Sequence, residues 1–499
     1  MIRIGFDDRV KIGLQYVLES LHPCSPFGQE RVRQLKFYAP EERDALAVEL
    51  GNTARAASHA AALKNTYDGV MTVLCCIKDI RASLNRCKEG ACLDHVELFE
   101  VKGYLLRLEE LIPLFETVRD AAKIEGIALP DPAAALAILD PENTRSRGFY
   151  IPDGATARLK EIRREKKRLE ALLYQAKTDA EREALRMQRT RVCADEEDEE
   201  RAVRASVSHA LAPLTDALLE STDAVGRLDL LIQKALFAVR YGGVLPQITD
   251  GPLELTGMTN PELCDLLSKK GRRFVPVSIA LERGATVVTG ANMGGKSVAL
   301  KTLALNALLF QAGFLVCAKA ARMPLFSCIR MLFDDLQSIQ SGLSGFGSEI
   351  VEFQKALDEV EQGYSLFLLD EFARGTNPDE GAIIVQAVTR YLNGVNAISV
   401  LSTHYDRVAP FASRHYQIIG LRDVDPEAIK RELAAGAEDG VAVIARHMNY
   451  GLYRVEGSTD CPKDALHICR MLSLKPEILD RISEAYGQGE SPRTRTEMP

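Results

Sequence analysis

Ala285-Thr286-Val287-Val288-Thr289-Gly290-Ala291-Asn292-Met293-Gly294-Gly295-Lys296-Ser297 is the stretch from which the fold can be read. It runs as an apolar strand, a glycine-rich turn, and a helix that opens with Val298-Ala299-Leu300-Lys301. Glycines let the backbone fold back so that successive N–H groups converge on phosphate oxygens at the helix N-terminus. Gly290, Asn292, Met293, Gly294, Gly295, Lys296 and Ser297 are therefore the expected nucleotide-binding residues. Lys296 supplies a mobile positive charge to the β- and γ-phosphates, and the Ser297 hydroxyl is a magnesium ligand. The bare pattern also arises by chance as a glycine turn, but here it follows a strand and opens a helix, as the chemistry requires.

Three further segments complete the constellation. Tyr364-Ser365-Leu366-Phe367-Leu368-Leu369-Asp370-Glu371 is an apolar strand ending in two carboxylates, 74 residues after Lys296 at Asp370. Ligands gather at the carboxyl edge of a parallel sheet. There Asp370 can hold Mg2+ through water, and Glu371 can polarise the attacking water. Ile398-Ser399-Val400-Leu401-Ser402-Thr403-His404 is another strand running out to a histidine. A lone histidine is usually structural, but the place of His404 at this edge suits a γ-phosphate sensor. Ser341-Gly342-Leu343-Ser344-Gly345-Phe346-Gly347-Ser348-Glu349 leads into an amphipathic helix and offers a second anion-binding end. One chain cannot easily present both ends to the same γ-phosphate. A head-to-tail dimer can, with Ser344 of one subunit completing the site of the other; a plain flexible glycine loop is the alternative.

Around this core, composition sets bounds. The 499 residues suffice for two to four domains, and 46% hydrophobic with 26% charged residues is an ordinary globular composition. A net charge of −8 argues against a protein that coats nucleic acid over its whole surface, while leaving room for a local basic patch. No stretch approaches about eighteen uninterrupted apolar residues, so no membrane span is expected. Acidic residues at Asp7 and Asp8 interrupt any secretory core, so a cytoplasmic location is expected. Eleven scattered cysteines without a C-x-x-C pair read as small core residues.

Residues 1 to about 240 read as helical, and after Gly242-Gly243 short β-rich runs alternate with amphipathic helices. Pro152-Asp153-Gly154 is a turn. From Ala155 to about Arg191 the spacing predicts one long charged helix with a narrow apolar stripe at Leu159, Ile162, Leu169, Leu172 and Leu173. Between Arg158 and Arg191 stand twelve Lys/Arg against six Asp/Glu, and Asp195 to Glu200 form an unbroken acidic run. Two readings stand side by side: a solvated hairpin with oppositely charged legs, or a nucleic-acid arm whose basic leg meets phosphates.

These motifs resemble the ATPases of the MutS family. Thr289–Ser297 is similar to T-G-P-N-M-G-G-K-S, with Ala291 in place of proline, and Asp334-Asp335-Leu336 to the family's D-D-L. Ser344-Gly345-Phe346 occupies the place of its Ser-Thr-Phe. Asp370-Glu371-Phe372-Ala373-Arg374-Gly375-Thr376-Asn377 is similar to D-E-x-G-R-G-T-S, and Ser402-Thr403-His404-Tyr405 to A-T-H-Y. Phe274, 16 residues before Gly290, lies where the family stacks an aromatic on adenine. The likeness is dense over about 270–410 and thinner before it, where Cys24-Ser25-Pro26-Phe27-Gly28 resembles the T-P-x-G at the start of the family's helical lever.

The resemblance implies a helical lever and clamp region followed by a P-loop ABC-type ATPase domain with a largely parallel sheet, an α + α/β fold with a short C-terminal helical element. The expected segments are a lever over 1–154, a charged arm over 155–240, the ATPase over 241–458 and a dimerisation element with tail over 459–499. ATP and Mg2+ are the implied cofactors, with Ser297, Asp370 and Asp335 as metal residues and Lys296, Glu371, His404 and Ser344 as catalytic ones. The chain starts at the lever, and Cys461-Pro462-Lys463-Asp464-Ala465 replaces the family's Ser-Tyr/Phe-Gly, so mismatch reading is not expected. The implied partners are a second copy in a homodimer and DNA, as a junction or structured duplex. The alternative is a protein client such as a cobalamin-dependent aminomutase.

Overall fold

The computed structural model describes residue 2, residues 4–145, 150–290, 295–333, 345–422, 446–456 and 474–488, and residues 424, 429, 432, 443 and 469 singly. Two compact units emerge. A helical unit comprises residues 21–36 and 51–239, and an α/β unit comprises residues 1–20, 37–50 and 240–499.

In chain order the helices up to the glycine pair are α1 (Phe6–Ile12), α2 (Leu14–Ser20), α3 (Pro26–Arg33), α4 (Arg43–His59), α5 (Lys64–Leu74), α6 (Arg81–Lys88), α7 (His95–Ala122), α8 (Ala133–Leu139), α9 (Ala157–Gln175), α10 (Asp179–Leu211) and α11 (Thr215–Tyr241). Helix α7 organises the helical unit. Asp94 accepts from the N–H groups of Val96 and Glu97, both at 2.8 Å, while Glu97 accepts from the Asp94 N–H at 2.9 Å, a reciprocal cap. Behind that cap Leu98, Val101, Leu105, Leu108, Leu111 and Phe115 are all buried, three or four residues apart, on one face. They pack with Tyr67, Val70 and Leu74 of α5 and with Val225, Leu228 and Leu231 of α11.

Two buried carboxyl groups, Asp229 and Asp140, are hydrogen-bonded within this unit. Asp229 on α11 is fully buried and accepts from the Ser25 hydroxyl at 2.6 Å, the Ser25 N–H at 2.7 Å and the Cys24 N–H at 3.2 Å. A Cβ at Gly28 would stand 2.2 Å from that carboxylate, so the Ser-Pro-Phe-Gly turn needs glycine there. Lys102 and Asp140 form a second pair at 3.1 Å. Burial opposes the Asp140 charge, but the Arg145 N–H, the Thr144 hydroxyl and Lys102 outweigh it and bring the carboxyl to about 2. An unfolded aspartate titrates near about 3.9, so this pair stabilises the fold fully above about pH 4 and is lost as pH falls through about 2. The pair lies just beneath the surface, where water screens it, so its contribution is about 1–2 kcal/mol. The melting-temperature gap between wild type and Asp140→Asn is expected to be widest near pH 7 and to close towards pH 2. A gap of constant width would contradict this.

The charged segment is not one helix. It breaks at Ala176-Lys177-Thr178, where the Thr178 hydroxyl caps the Glu181 N–H and Glu181 reaches back to Thr178, so α9 and α10 form a hairpin. Its legs are stitched by ion pairs: Arg163 to Glu196 and Glu200, Lys166 to Glu196, Arg158 to Glu199 and Arg189 to Glu170. Glu196, Glu199 and Glu200 of the acidic run thus face the basic leg, whereas Asp195, Glu197 and Asp198 are exposed. Of the apolar stripe, Leu159 and Leu169 are buried and Leu172 is exposed.

Among its described residues the α/β unit carries two sheets. The first is ordered β1 (Gln247–Ile248), β5 (Ala320–Met323), β2 (Leu253–Met258), β3 (Val277–Leu281). The second contains β4 (Gly284–Thr289), β6 (Cys328–Phe333), β7 (Ser365–Asp370), β8 (Ala397–Ser402), β9 (Arg414–Gly420) and β10 (Asn449–Arg454), in the order β10-β9-β4-β8-β7-β6. Every pairing in it is parallel except β10 with β9. Strands β4, β7 and β8 are buried along their whole length, as expected of central parallel strands. Besides α1 and α2, the unit's helices among the described residues include α12 (Pro261–Lys269), α13 (Lys296–Gln311), α14 (Gly345–Val360), α15 (Pro378–Leu392) and α16 (Pro476–Gln488). Helix α13 touches β7 and β8 on one side and α1 and β2 on the other, which explains why it is apolar nearly all round.

The early segments join this unit through long-range hydrogen bonds. The Gln311 amide donates to the Tyr38 carbonyl at 2.9 Å, and Asp265 accepts from Tyr16 at 2.5 Å, Tyr241 at 2.8 Å and Arg240 at 3.0 Å. The cysteines differ from a uniform core role: Cys87 and Cys317 are buried, whereas Cys75, Cys76 and Cys92 are exposed. Among the described residues no helix is long and apolar enough to cross a membrane.

Candidate functional site

Parallel pairing of β4 with β8 and of β8 with β7 brings three strand ends to one edge. Thr289 ends β4, Asp370 ends β7 and Ser402 ends β8, and the turn into α13 leaves from the same edge. Gly295 caps α13 with φ +86, a backbone that favours glycine. Lys296, the first residue of α13, is buried to 2% side-chain exposure, and its Nζ donates to the Gly290 carbonyl at 2.8 Å. It also stands 3.7 Å from Glu371 Oε1. Ser297 follows, half-buried. The predicted Asn292, Met293 and Gly294 lie outside the described residues, as do Asp335 and Ser344.

Glu371 holds the centre of the site. Its φ is +50, unusual for a residue with a side chain, and Ala373 two positions on has φ +63. Such strain persists where surrounding groups over-determine it. Here the Glu371 N–H donates to both the Ser402 carbonyl and the Ser402 hydroxyl at 3.1 Å. The Ala373 N–H donates to Glu349 on α14 at 2.9 Å, and the Ala373 carbonyl accepts from the Tyr405 hydroxyl at 2.8 Å. The Glu371 carboxylate meets Lys296 on one oxygen and Arg374 on the other, the latter at 3.0 Å.

His404 follows β8. Burial is the largest cause holding its pKa below the ordinary value; Glu371 opposes this, and Lys296 and Arg374 reinforce it. The ring is therefore neutral near pH 7. Its buried Nδ1 has no hydrogen-bond partner among the described residues. An orphaned polar atom beside a lysine and a carboxylate suits an incoming phosphate oxygen or water. Ser297 and Asp370 offer a hydroxyl and a carboxylate oxygen, a hard, sparse donor set of the kind Mg2+ uses when phosphates and water supply the rest.

Several residues, some of them inside the quoted motifs, had no role assigned from sequence. Arg374 pairs with the candidate water-polarising carboxylate; its spacing of three from Glu371 was the available signal. Ser402, Tyr405 and Glu349 hold the strained loop. Tyr450, on β10, reaches the glycine turn: a Cβ at Gly295 would stand 2.9 Å from its ring. Thr289 meets the buried His415 at 2.7 Å, behind the turn. Phe274, the expected adenine platform, is half-buried between α12 and β3.

Residues 286–469 match the family model described as MutS domain V. The chain is 32% identical over 303 residues to "Endonuclease MutS2" of Thermomicrobium roseum, an alignment covering 58% of this chain and 35% of that protein. It is 30% identical to "Endonuclease MutS2" of Symbiobacterium thermophilum, covering 59% of this chain and 34% of that protein. It is 29% identical to "DNA mismatch repair protein MutS" of Natronomonas pharaonis, covering 56% and 31%. The chain thus spans about a third of the length of the curated relatives it matches.

Proposed function

Because the chain belongs to the MutS family through its ATPase module, we propose that it is a dimeric clamp that couples ATP binding and hydrolysis to the grip of DNA. The observation carrying this reading is the meeting of Lys296, Glu371 and the neutral His404 where β4, β7 and β8 end. Lys296 takes the β- and γ-phosphates, Glu371 orients and polarises water, and His404 senses the γ-phosphate. Mg2+, held by Ser297 and Asp370 with Asp335 as a further metal residue through water, would supply neutralisation of phosphate charge. Ser344 of the partner subunit would complete the site in a homodimer. Phe274 remains the proposed adenine platform.

For the DNA partner the support is the hairpin and the names of the relatives. Arg163 and Lys166 are engaged by the acidic run, so they are not the contact residues. Lys160, Arg164, Lys167 and Arg168 are exposed along α9, and Lys160 and Arg164 have no ion-pair partner among the described residues. We assign the phosphate contacts to these four.

Replacing the four with Glu is expected to remove DNA binding while leaving basal ATPase nearly unchanged. Wild-type affinity should fall steeply with salt, log K dropping by roughly 0.9 per phosphate neutralised per decade. Anisotropy titrations of branched and linear duplex, with and without a non-hydrolysable ATP analogue, read both effects. No binding to branched DNA at low ionic strength by a nucleotide-competent dimer would contradict the DNA reading and turn attention to a protein client.

A further inference from the structure

Ser402 ends β8 directly opposite Asp370 in the β7–β8 register, and its side chain is buried. Its one oxygen serves two neighbours. The hydroxyl donates to Asp370 Oδ1, and the same oxygen accepts the Glu371 N–H at 3.1 Å. A single side chain thus sets the orientation of one carboxylate and the backbone of the next residue.

We propose that Ser402 is a positioning residue for ATP hydrolysis, its hydroxyl holding Asp370 in the orientation that receives Mg2+ and holding Glu371 in its strained backbone. The proposal rests on the ATPase reading of this site. The physical case is one of constraint. A carboxylate at a strand end can rotate about its last side-chain bond, and a donor locked on Oδ1 removes that freedom. The positive φ of Glu371 is unfavourable by itself, so each hydrogen bond to its N–H helps keep the carboxylate beside Lys296 and Arg374. Partners that orient a metal residue without touching the metal commonly govern affinity and rate together.

The test compares wild type, Ser402→Ala and Ser402→Thr. Mg2+ is titrated against the binding of a fluorescent ATP analogue, kcat and KM are measured for ATP, and amide exchange is followed across 366–372 in nucleotide-free protein. For Ser402→Ala the half-saturating Mg2+ is expected to rise roughly 10-fold. Its kcat should fall with KM little changed, and exchange at the Glu371 amide should quicken. Nucleotide binding without Mg2+ and the melting temperature should match wild type. Ser402→Thr, which keeps the hydroxyl, should restore Mg2+ dependence and exchange protection.

Wild-type Mg2+ dependence and wild-type exchange in Ser402→Ala would overturn the proposal. So would equal losses in Mg2+-free binding and melting temperature, which would mark a general packing role. Wild-type protein that bound no nucleotide would instead overturn the ATPase reading on which the proposal rests. Exchange at Glu371 reads the backbone hold independently of that result.

Discussion

Replacing Glu371 with Gln is expected to leave ATP binding intact while slowing hydrolysis roughly 10²–10⁴-fold, the usual range for losing a group that polarises water. Glutamine keeps the size of the side chain and a carbonyl oxygen for Arg374 and Lys296, which now hold the carboxylate at 3.0 and 3.7 Å. It cannot take up a proton from water. The variant should therefore accumulate an ATP-bound dimer. Lys296→Ala should behave in the opposite way. It removes the buried ammonium that now rests on the Gly290 carbonyl and is poised for phosphate, so binding is lost before chemistry begins. A Gln variant hydrolysing at the wild-type rate would remove Glu371 from its assigned role.

The second large effect comes from mixing two inactive proteins. If Ser344 completes the partner's site, Lys296→Ala and Ser344→Arg should each be nearly inactive alone. In a heterodimer one site combines both lesions and the other has neither. Random pairing of equal amounts then places an intact site in half the dimers, so activity should return to roughly a quarter of wild type. The reciprocal exchange of one segment between two copies is what a head-to-tail arrangement requires. No recovery, with heterodimers shown to form, would mean that each subunit hydrolyses ATP with its own residues.

What could be read in the sequence was whatever depends on short spans. The strand–turn–helix around Lys296 and the apolar strand ending at Asp370-Glu371 are continuous in the chain, and the strands are buried where their composition demands. What could not be read depends on distant partners. The basic leg reads as a phosphate-binding surface in sequence, yet Arg163 on it is paired with Glu196 and Glu200 on the other leg of the hairpin. The break at Ala176-Lys177-Thr178 contains neither proline nor glycine; Thr178 with Glu181 three residues later was the readable sign of a new helix. Residues 1–20 and 37–50 join the α/β unit through pairs such as Tyr16 with Asp265 and Tyr38 with Gln311, each more than two hundred positions apart. The hydroxyl of Ser402 gains meaning only once β7 and β8 are in register. The strained φ of Glu371 leaves no trace in composition at all.

The measurement closest to the central claim follows ATP binding and phosphate release together, in Mg2+, for wild type, Lys296→Ala and Glu371→Gln. Wild type should bind and release phosphate, Glu371→Gln should bind with release nearly abolished, and Lys296→Ala should do neither. Retained ATP binding in Lys296→Ala, or phosphate release at the wild-type rate in Glu371→Gln, would contradict the account.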